Sequence, residues 1–335
     1  RQSRSSRNRQ GADLISRFAS VQVLLSINVM PCRNENMAAI VESVPNFSEG
    51  RRKEVIDAIV QSMRSVPGVR VLDVETDTDH NRTVVTLIGN KDNIQEAAFM
   101  GAKTASELID LNKHIGQHPR MGALDVLPFI PISGVTMKEC IDIANRVGSR
   151  IGTELRIPVF LYESAAKRPE RMNLEDVRRG EFEGLRDAIP KDDTRIPDYG
   201  PRMMHPTAGA VAVGARMPLV AFNVNLKSGD LSIAKAIAKK IRTSSGGFPK
   251  VKALGLMLAA KGVVQVSMNL TDYTVTGIPQ VFEAIKKMAE EQGVEIMESE
   301  IIGLIPLDAL SDVAKESLKV PGFTSKQVLE RRIWD

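Results

Sequence analysis

Val220-Ala221-Phe222-Asn223-Val224-Asn225-Leu226 alternates strictly, with Val220, Phe222, Val224 and Leu226 on one face and Ala221, Asn223 and Asn225 on the other. A period of two is that of a strand with one face in a core. Val264, Val266, Met268 and Leu270 repeat the pattern against Gln265, Ser267 and Asn269. The second faces carry amides where a plain solvated sheet would carry Lys and Glu. Amides both donate and accept, so two readings stand: a face that meets a ligand or an interface, and a solvated face.

Strand and helix patterns continue outward from these two strands. A Pro- and Gly-rich stretch, 190–209, is the natural linker. After it come strands 210–215 and 219–226, helix 230–243, strands 251–258 and 263–270, helix 279–292 and strand 295–305. The order ββαββαβ predicts a ferredoxin-like antiparallel sheet covered by helices on one side. Upstream, strand 39–45 ends in the polar turn 46–50, and Val55, Ile56, Ile59, Val60 and Met63 form a helical stripe. Pro67-Gly68 leads to strand 69–74, an acidic loop over 75–82 and strand 83–88. The next helix places Ile94, Ala98, Gly101, Ala105 and Leu108 on one face, and 123–132 reads as a strand. Thr136-Met137-Lys138-Glu139 is a capping box that starts a helix burying Cys140, Ile143, Ala144, Val147 and Ile151. The expectation is an α/β (α+β) chain of two ferredoxin-like-type subdomains, 37–199 and 200–335, with mixed or antiparallel sheets covered by helices.

Composition narrows the function. The 335 residues suffice for about two domains with real cores. Six arginines in residues 1–36 (Arg1, Arg4, Arg7, Arg9, Arg17 and Arg33) face only Asp13 and Glu35, which accounts for the whole net charge of +4. The body is neutral and aromatics are 4%, so a nucleic-acid-binding body is not expected. The leader is Arg- and Ser-rich and acid-poor. It is read as the product of an early start, with Met37 as the true one, ahead of a transit peptide or a secretory signal. The apolar run 18–29 is too short to span a bilayer. Two cysteines, Cys32 and Cys140, give no disulfide framework or zinc spacing, and a cytoplasmic setting fits them.

The four histidines, His80, His114, His118 and His205, all lie in polar loops containing Gly or Pro. His114 and His118 are four apart, but Gly116 interrupts them and Pro119 pushes His118 away from helical geometry. No metal site is expected there. A histidine on an X-Pro turn beside Arg120 suits proton transfer on an anionic substrate, because imidazole titrates near neutrality and guanidinium forks fit carboxylates.

Several loops together resemble the formiminotransferase family: Val44-Pro45-Asn46-Phe47-Ser48-Glu49-Gly50, Asp79-His80-Asn81-Arg82-Thr83-Val84 and the segment His114-Ile115-Gly116-Gln117-His118-Pro119-Arg120-Met121-Gly122. Pro158-Val159-Phe160-Leu161-Tyr162-Glu163, Pro206-Thr207-Ala208-Gly209-Ala210 and Ala221-Phe222-Asn223-Val224-Asn225-Leu226 extend the resemblance over nearly everything after Met37. It implies transfer of a formimino group from N-formimino-L-glutamate to tetrahydrofolate, a co-substrate held between two α/β subdomains of a homodimer. It also implies no cyclodeaminase domain, since the chain ends at Asp335.

By the same resemblance the catalytic histidine is His118 and the folate stretch is Gly200-Pro201-Arg202-Met203-Met204-His205-Pro206-Thr207-Ala208-Gly209. The acidic partner of the histidine falls on Glu75, where the vertebrate bifunctional relatives have Asp. On these residues His118 is expected to carry the proton and Glu75 to orient it. Arg120 and Arg82 are expected to hold carboxylates, and Asn46, Asn81, Asn223 and Asn225 the amidinium or pterin. Two alternatives stand beside this: formyl transfer between 5-formyltetrahydrofolate and glutamate at the same site, and a non-catalytic module that self-associates through its amide face.

Overall fold

Pro45 has no N–H to donate, so the first strand of the chain is broken into two pieces. These are β1 (Ile40–Ser43) and β2 (Asn46–Phe47), and they lie end to end. They are followed by α1 (Lys53–Arg64), β3 (Arg70–Asp77), β4 (Arg82–Gly89), α2 (Asn93–Leu108), β5 (Leu124–Ser133), α3 (Met137–Glu154), β6 (Val159–Glu163), α4 (Leu174–Arg178), α5 (Glu181–Ala188) and β7 (Val211–Ala215). The computed structural model describes residues 39–116, 119–259 and 261–329; the leader 1–36 and His118 lie outside the described residues. Among the described residues no helix is long and apolar enough to cross a membrane.

Both β1 and β2 pair antiparallel with β4 on one side and β5 on the other, and β3 pairs antiparallel with β4. Counting β1 and β2 as one strand, β3-β4-β1-β5 is the sheet order of a ferredoxin-like βαββαβ unit. β7 and β6 extend it by parallel pairing beyond β5. Val55, Ile56, Ile59, Val60 and Met63 of α1 are all buried, as their spacing predicts. With α2 and α3 they close one core over this sheet.

The second unit is β8 (Val220–Leu226), α6 (Leu231–Ile241), β9 (Val251–Leu258), β10 (Val263–Leu270), α7 (Ile278–Glu291) and β11 (Ile296–Ile302), followed by α8 (Leu307–Leu318). Its order, β11-β8-β10-β9, is all antiparallel and again ferredoxin-like. Val220, Phe222, Val224 and Leu226 meet Val264, Val266, Met268 and Leu270 in a core closed by α6 and α7.

Two expectations shift. The strand assigned to 210–215 belongs to the first sheet, where Val211↔Val159 and Val126↔Ala212 are in register. The break between the two sheets therefore falls between Ala215 and Val220, not at residue 200, and the second unit is βαββαβ. Glu75 also sits on a strand and not in a loop, because β3 runs to Asp77.

Candidate active site

Three loops bearing the quoted motifs meet at the ends of β2, β4 and β5, and Asn81 joins them. Its φ of +52° is a left-handed conformation that Asn enters more readily than most residues. Its buried Oδ1 accepts from Gly50 N at 2.8 Å, and Nδ2 donates to Ile115 O at 3.1 Å. His114 Nε2 donates to the Asn81 carbonyl at 2.9 Å, and His114 Nδ1 is buried with no partner among the described residues. Gly116 closes against the same turn: a Cβ there would lie 2.3 Å from His80 O. His80 itself places Nδ1 2.6 Å from Asp77 Oδ2.

The loop after β2 turns on Glu49. Its Oε1 accepts from the Arg51 and Arg52 N–H groups, both at 2.9 Å, and Oε2 from Arg52 Nε at 2.6 Å. Burial pushes this carboxyl up, but the hydrogen bonds and the Arg52 charge outweigh it and hold it below the usual range. A cleft of about 540 Å³ opens here, walled by Ser48, Arg52, Asn81, Lys113, His114 and Thr207. That volume lies within the range of small-ligand sites.

The stretch 200–209 reaches the same place. Leu111 N donates to Thr207 O at 2.9 Å, Asn112 Nδ2 to Pro206 O at 2.8 Å, and Ala123 N to Ala208 O at 2.8 Å. Gly122 permits this: a Cβ there would lie 1.9 Å from Ala210 O. Upstream in that stretch, Gly200 lies against Gly152 and Ile157, Arg202 pairs with Asp193 at 2.6 Å, Met203 is exposed and Met204 is buried. The expected linker is thus packed against the first sheet.

Arg120, expected as a carboxylate clamp, is paired within the protein. Its Nη1 and Nη2 donate to Glu183 at 2.9 and 2.8 Å, and Phe182 N donates to Arg120 O at 2.9 Å. The Glu183 hydrogen bond raises its pKa. Arg120 therefore ties its loop to α5, and its fork is in use.

Arg82, at the start of β4, is the opposite case. Among the described residues no hydrogen bond engages its guanidinium, and its Nε is buried. Burial and the neighbouring charge of Arg178 push its pKa down, against the pull of Asp77, Asp125 and Glu75. Arg178, which no spacing in the sequence singles out, donates from Nη2 to Asp125 Oδ2 at 2.6 Å, while Asp125 Oδ1 accepts from Met121 N at 2.7 Å. Glu75 pairs across β3 and β4 with Val84, and its Oε1 lies 3.6 Å from where a Cβ on Gly303 would stand.

Asn46 Nδ2 donates to Val44 O at 2.9 Å. Asn223 is buried, in register between Ser267 and Glu300. Asn225 is fully buried, donating to Glu298 and Glu300 at 3.0 and 3.2 Å and accepting from Gln265 Nε2 at 2.9 Å. The centre of the amide face is not solvated, and its amides bond chiefly within the sheet.

Comparison with known proteins meets this geometry. The profile of the formiminotransferase domain, N-terminal subdomain, matches residues 40–216, and that of the formiminotransferase domain matches 221–322. Glutamate formimidoyltransferase of Streptococcus pyogenes serotype M1 is 52% identical over 298 residues, covering 89% of this chain and 99% of that protein. The protein of the same name from Thermoplasma acidophilum is 45% identical over 297 residues, covering 88% and 97%. Formimidoyltransferase-cyclodeaminase of Mus musculus is 44% identical over 284 residues, covering 83% of this chain and 52% of that longer protein. The two profiles part between 216 and 221, where the two sheets part as well. The chain belongs to the formiminotransferase family.

Proposed function

We propose that the chain transfers the formimino group from N-formimino-L-glutamate to tetrahydrofolate, giving 5-formiminotetrahydrofolate and L-glutamate. The observation that most supports it is the junction at Asn81, where the loop leaving β2, the turn before β4 and the His114–Gly116 loop are bonded together in a chain of this family.

Folate N5 attacks the formimino carbon to form a tetrahedral adduct. His118 takes the N5 proton and returns it to the glutamate nitrogen. The C–N bond to glutamate then breaks, and its electron pair leaves on a nitrogen that is already protonated. Glu75 orients His118 and stabilises its charged form. Arg120 positions the loop through Glu183, so Arg82 is the guanidinium that meets a carboxylate. Asn46, Asn81, Asn223 and the stretch 200–209 hold the pterin and the amidinium. Tetrahydrofolate enters as co-substrate, and proton movement needs no metal in this scheme. The same reading takes the protein as a cytoplasmic homodimer. Holding both substrates in one cleft supplies much of the acceleration.

Replacing His118 with Ala is expected to leave the thermal midpoint unchanged and to slow transfer by about two to four powers of ten. Transfer within tenfold of the parent would remove His118 from the chemistry.

A further inference from the structure

We propose that Arg82 and Arg178 act together as the receptor for a glutamyl carboxylate. This rests on the formimino-transfer reading and adds to it a residue, Arg178, with a stated ligand chemistry.

The two side chains come from distant elements and are brought together by the first sheet. Thr83 pairs with Phe47, and Phe47 pairs with Leu124, so β2 bridges β4 and β5 at this level. Phe47, Thr83, Val85, Leu124 and Val126 are buried. The register of β2 on β5 shifts at Asp125, and Asp125 and Arg178 both act on the charge of Arg82, so the three side chains lie near one another. Asp125 is buried and uses both oxygens, one on Met121 N and one on Arg178 Nη2. It holds Arg178 in place, and it makes no hydrogen bond to Arg82.

The donors are therefore in surplus. Among the described residues, Arg82 offers five N–H donors and uses none, and Arg178 uses one Nη and leaves its Nε without a partner. Half-buried guanidinium groups usually find partners, because stranded donors are costly in a shielded place. Two like charges are also held near one another, and they repel unless an anion sits between them. A planar carboxylate with four lone-pair sites matches two such forks. Glu75 and Asp77 influence Arg82 from nearby but do not bond to it.

A glutamyl carboxylate occurs in both substrates, on N-formimino-L-glutamate and on the tail of tetrahydrofolate. The test compares the full chain with Arg82→Gln, Arg178→Gln and Arg178→Lys in steady-state transfer. The acceptor is tetrahydrofolate in one arm and tetrahydropteroate, which lacks the glutamyl tail, in the other. The expected result is a rise in KM of about 10- to 100-fold for one substrate in either Gln variant, with kcat within about threefold and partial rescue by Arg178→Lys. A rise in the formiminoglutamate KM that persists with tetrahydropteroate seats the donor. A rise in the folate KM that is absent with tetrahydropteroate seats the folate tail. Unchanged KM for both substrates, or a fall in kcat alone, overturns the receptor.

The Arg82 guanidinium makes no hydrogen bond among the described residues, so Arg82→Gln keeps the test open if the Arg178 variants do not fold. Should the parent chain transfer no formimino group, the parent reading fails by itself. The receptor is then judged by L-glutamate at millimolar concentration. A rise in the thermal midpoint that Arg82→Gln abolishes supports it, and no rise in the parent chain overturns it.

Discussion

His205 is the base of a tight turn. Its Nδ1 accepts from Ala208 N at 3.0 Å and from Thr207 N at 3.4 Å, so the turn is built on a neutral imidazole. Burial holds its pKa below the ordinary value near 6.5. Folding thus favours the neutral form. Its contribution is fully present above about pH 6.5 and is lost as pH falls through the lower folded-state value. An NMR titration of the His205 ring should give a midpoint below 6.5. His205→Asn, which keeps an acceptor oxygen that does not titrate there, should gain in thermal midpoint relative to the parent between pH 7.5 and pH 5. A constant difference across that range would count against the turn's dependence on neutral histidine. At this scale the sequence was informative about residue type and silent about partners. His114 bonds the Asn81 carbonyl, a partner 33 positions away that no spacing in the sequence points to. Arg120 reads as a substrate clamp because its partner Glu183 is 63 positions away.

Between β6 and β7 the chain runs from residue 164 to 210 without joining a sheet as a strand, and one buried ion pair fastens it. Arg171 Nη1 lies 2.5 Å from Asp198 Oδ2, and Nη2 donates to the carbonyls of Ile196 at 2.6 Å and Thr194 at 3.2 Å. Asp198 also accepts from Leu161 N at 2.8 Å, tying the segment to β6. The two side chains are only 4% and 5% exposed, so removing one leaves the other charged and shielded. Arg171→Met is expected to cost about 3–5 kcal/mol of stability by urea denaturation, and adding Asp198→Leu should recover most of it. A loss below about 1 kcal/mol would show that the pair does not fasten the segment. Element boundaries marked by local chemistry were legible: Thr136 and Glu139 do form both bonds of a capping box at the start of α3. Leu108, expected on the buried face of α2, is 40% exposed, because the helix ends at the cleft. Its position in the helical period carried no sign of that ending.

Across the whole molecule, periodicity fixes that 211–215 is a strand but not which sheet it enters. Parallel pairing with β5 and β6 is a long-range choice, and the Pro- and Gly-rich composition of 190–209 marks irregular backbone and not the end of a sheet. The amide strands read correctly as half in a core, while the bonding of Asn225 to Glu298 and Glu300 depends on β11, more than 70 positions away. The candidate site was legible as a set of loops. Arg178 was not, since it becomes distinctive only through Asp125, 53 positions before it. The central claim, formimino transfer by a chain built from two βαββαβ units, is tested most directly by supplying each one-carbon donor in turn and following the folate absorbance. With N-formimino-L-glutamate and tetrahydrofolate the full chain should produce 5-formiminotetrahydrofolate catalytically, and faster than it forms tetrahydrofolate from 5-formyltetrahydrofolate and L-glutamate. Formyl transfer without formimino transfer, or no turnover with either donor, would contradict it.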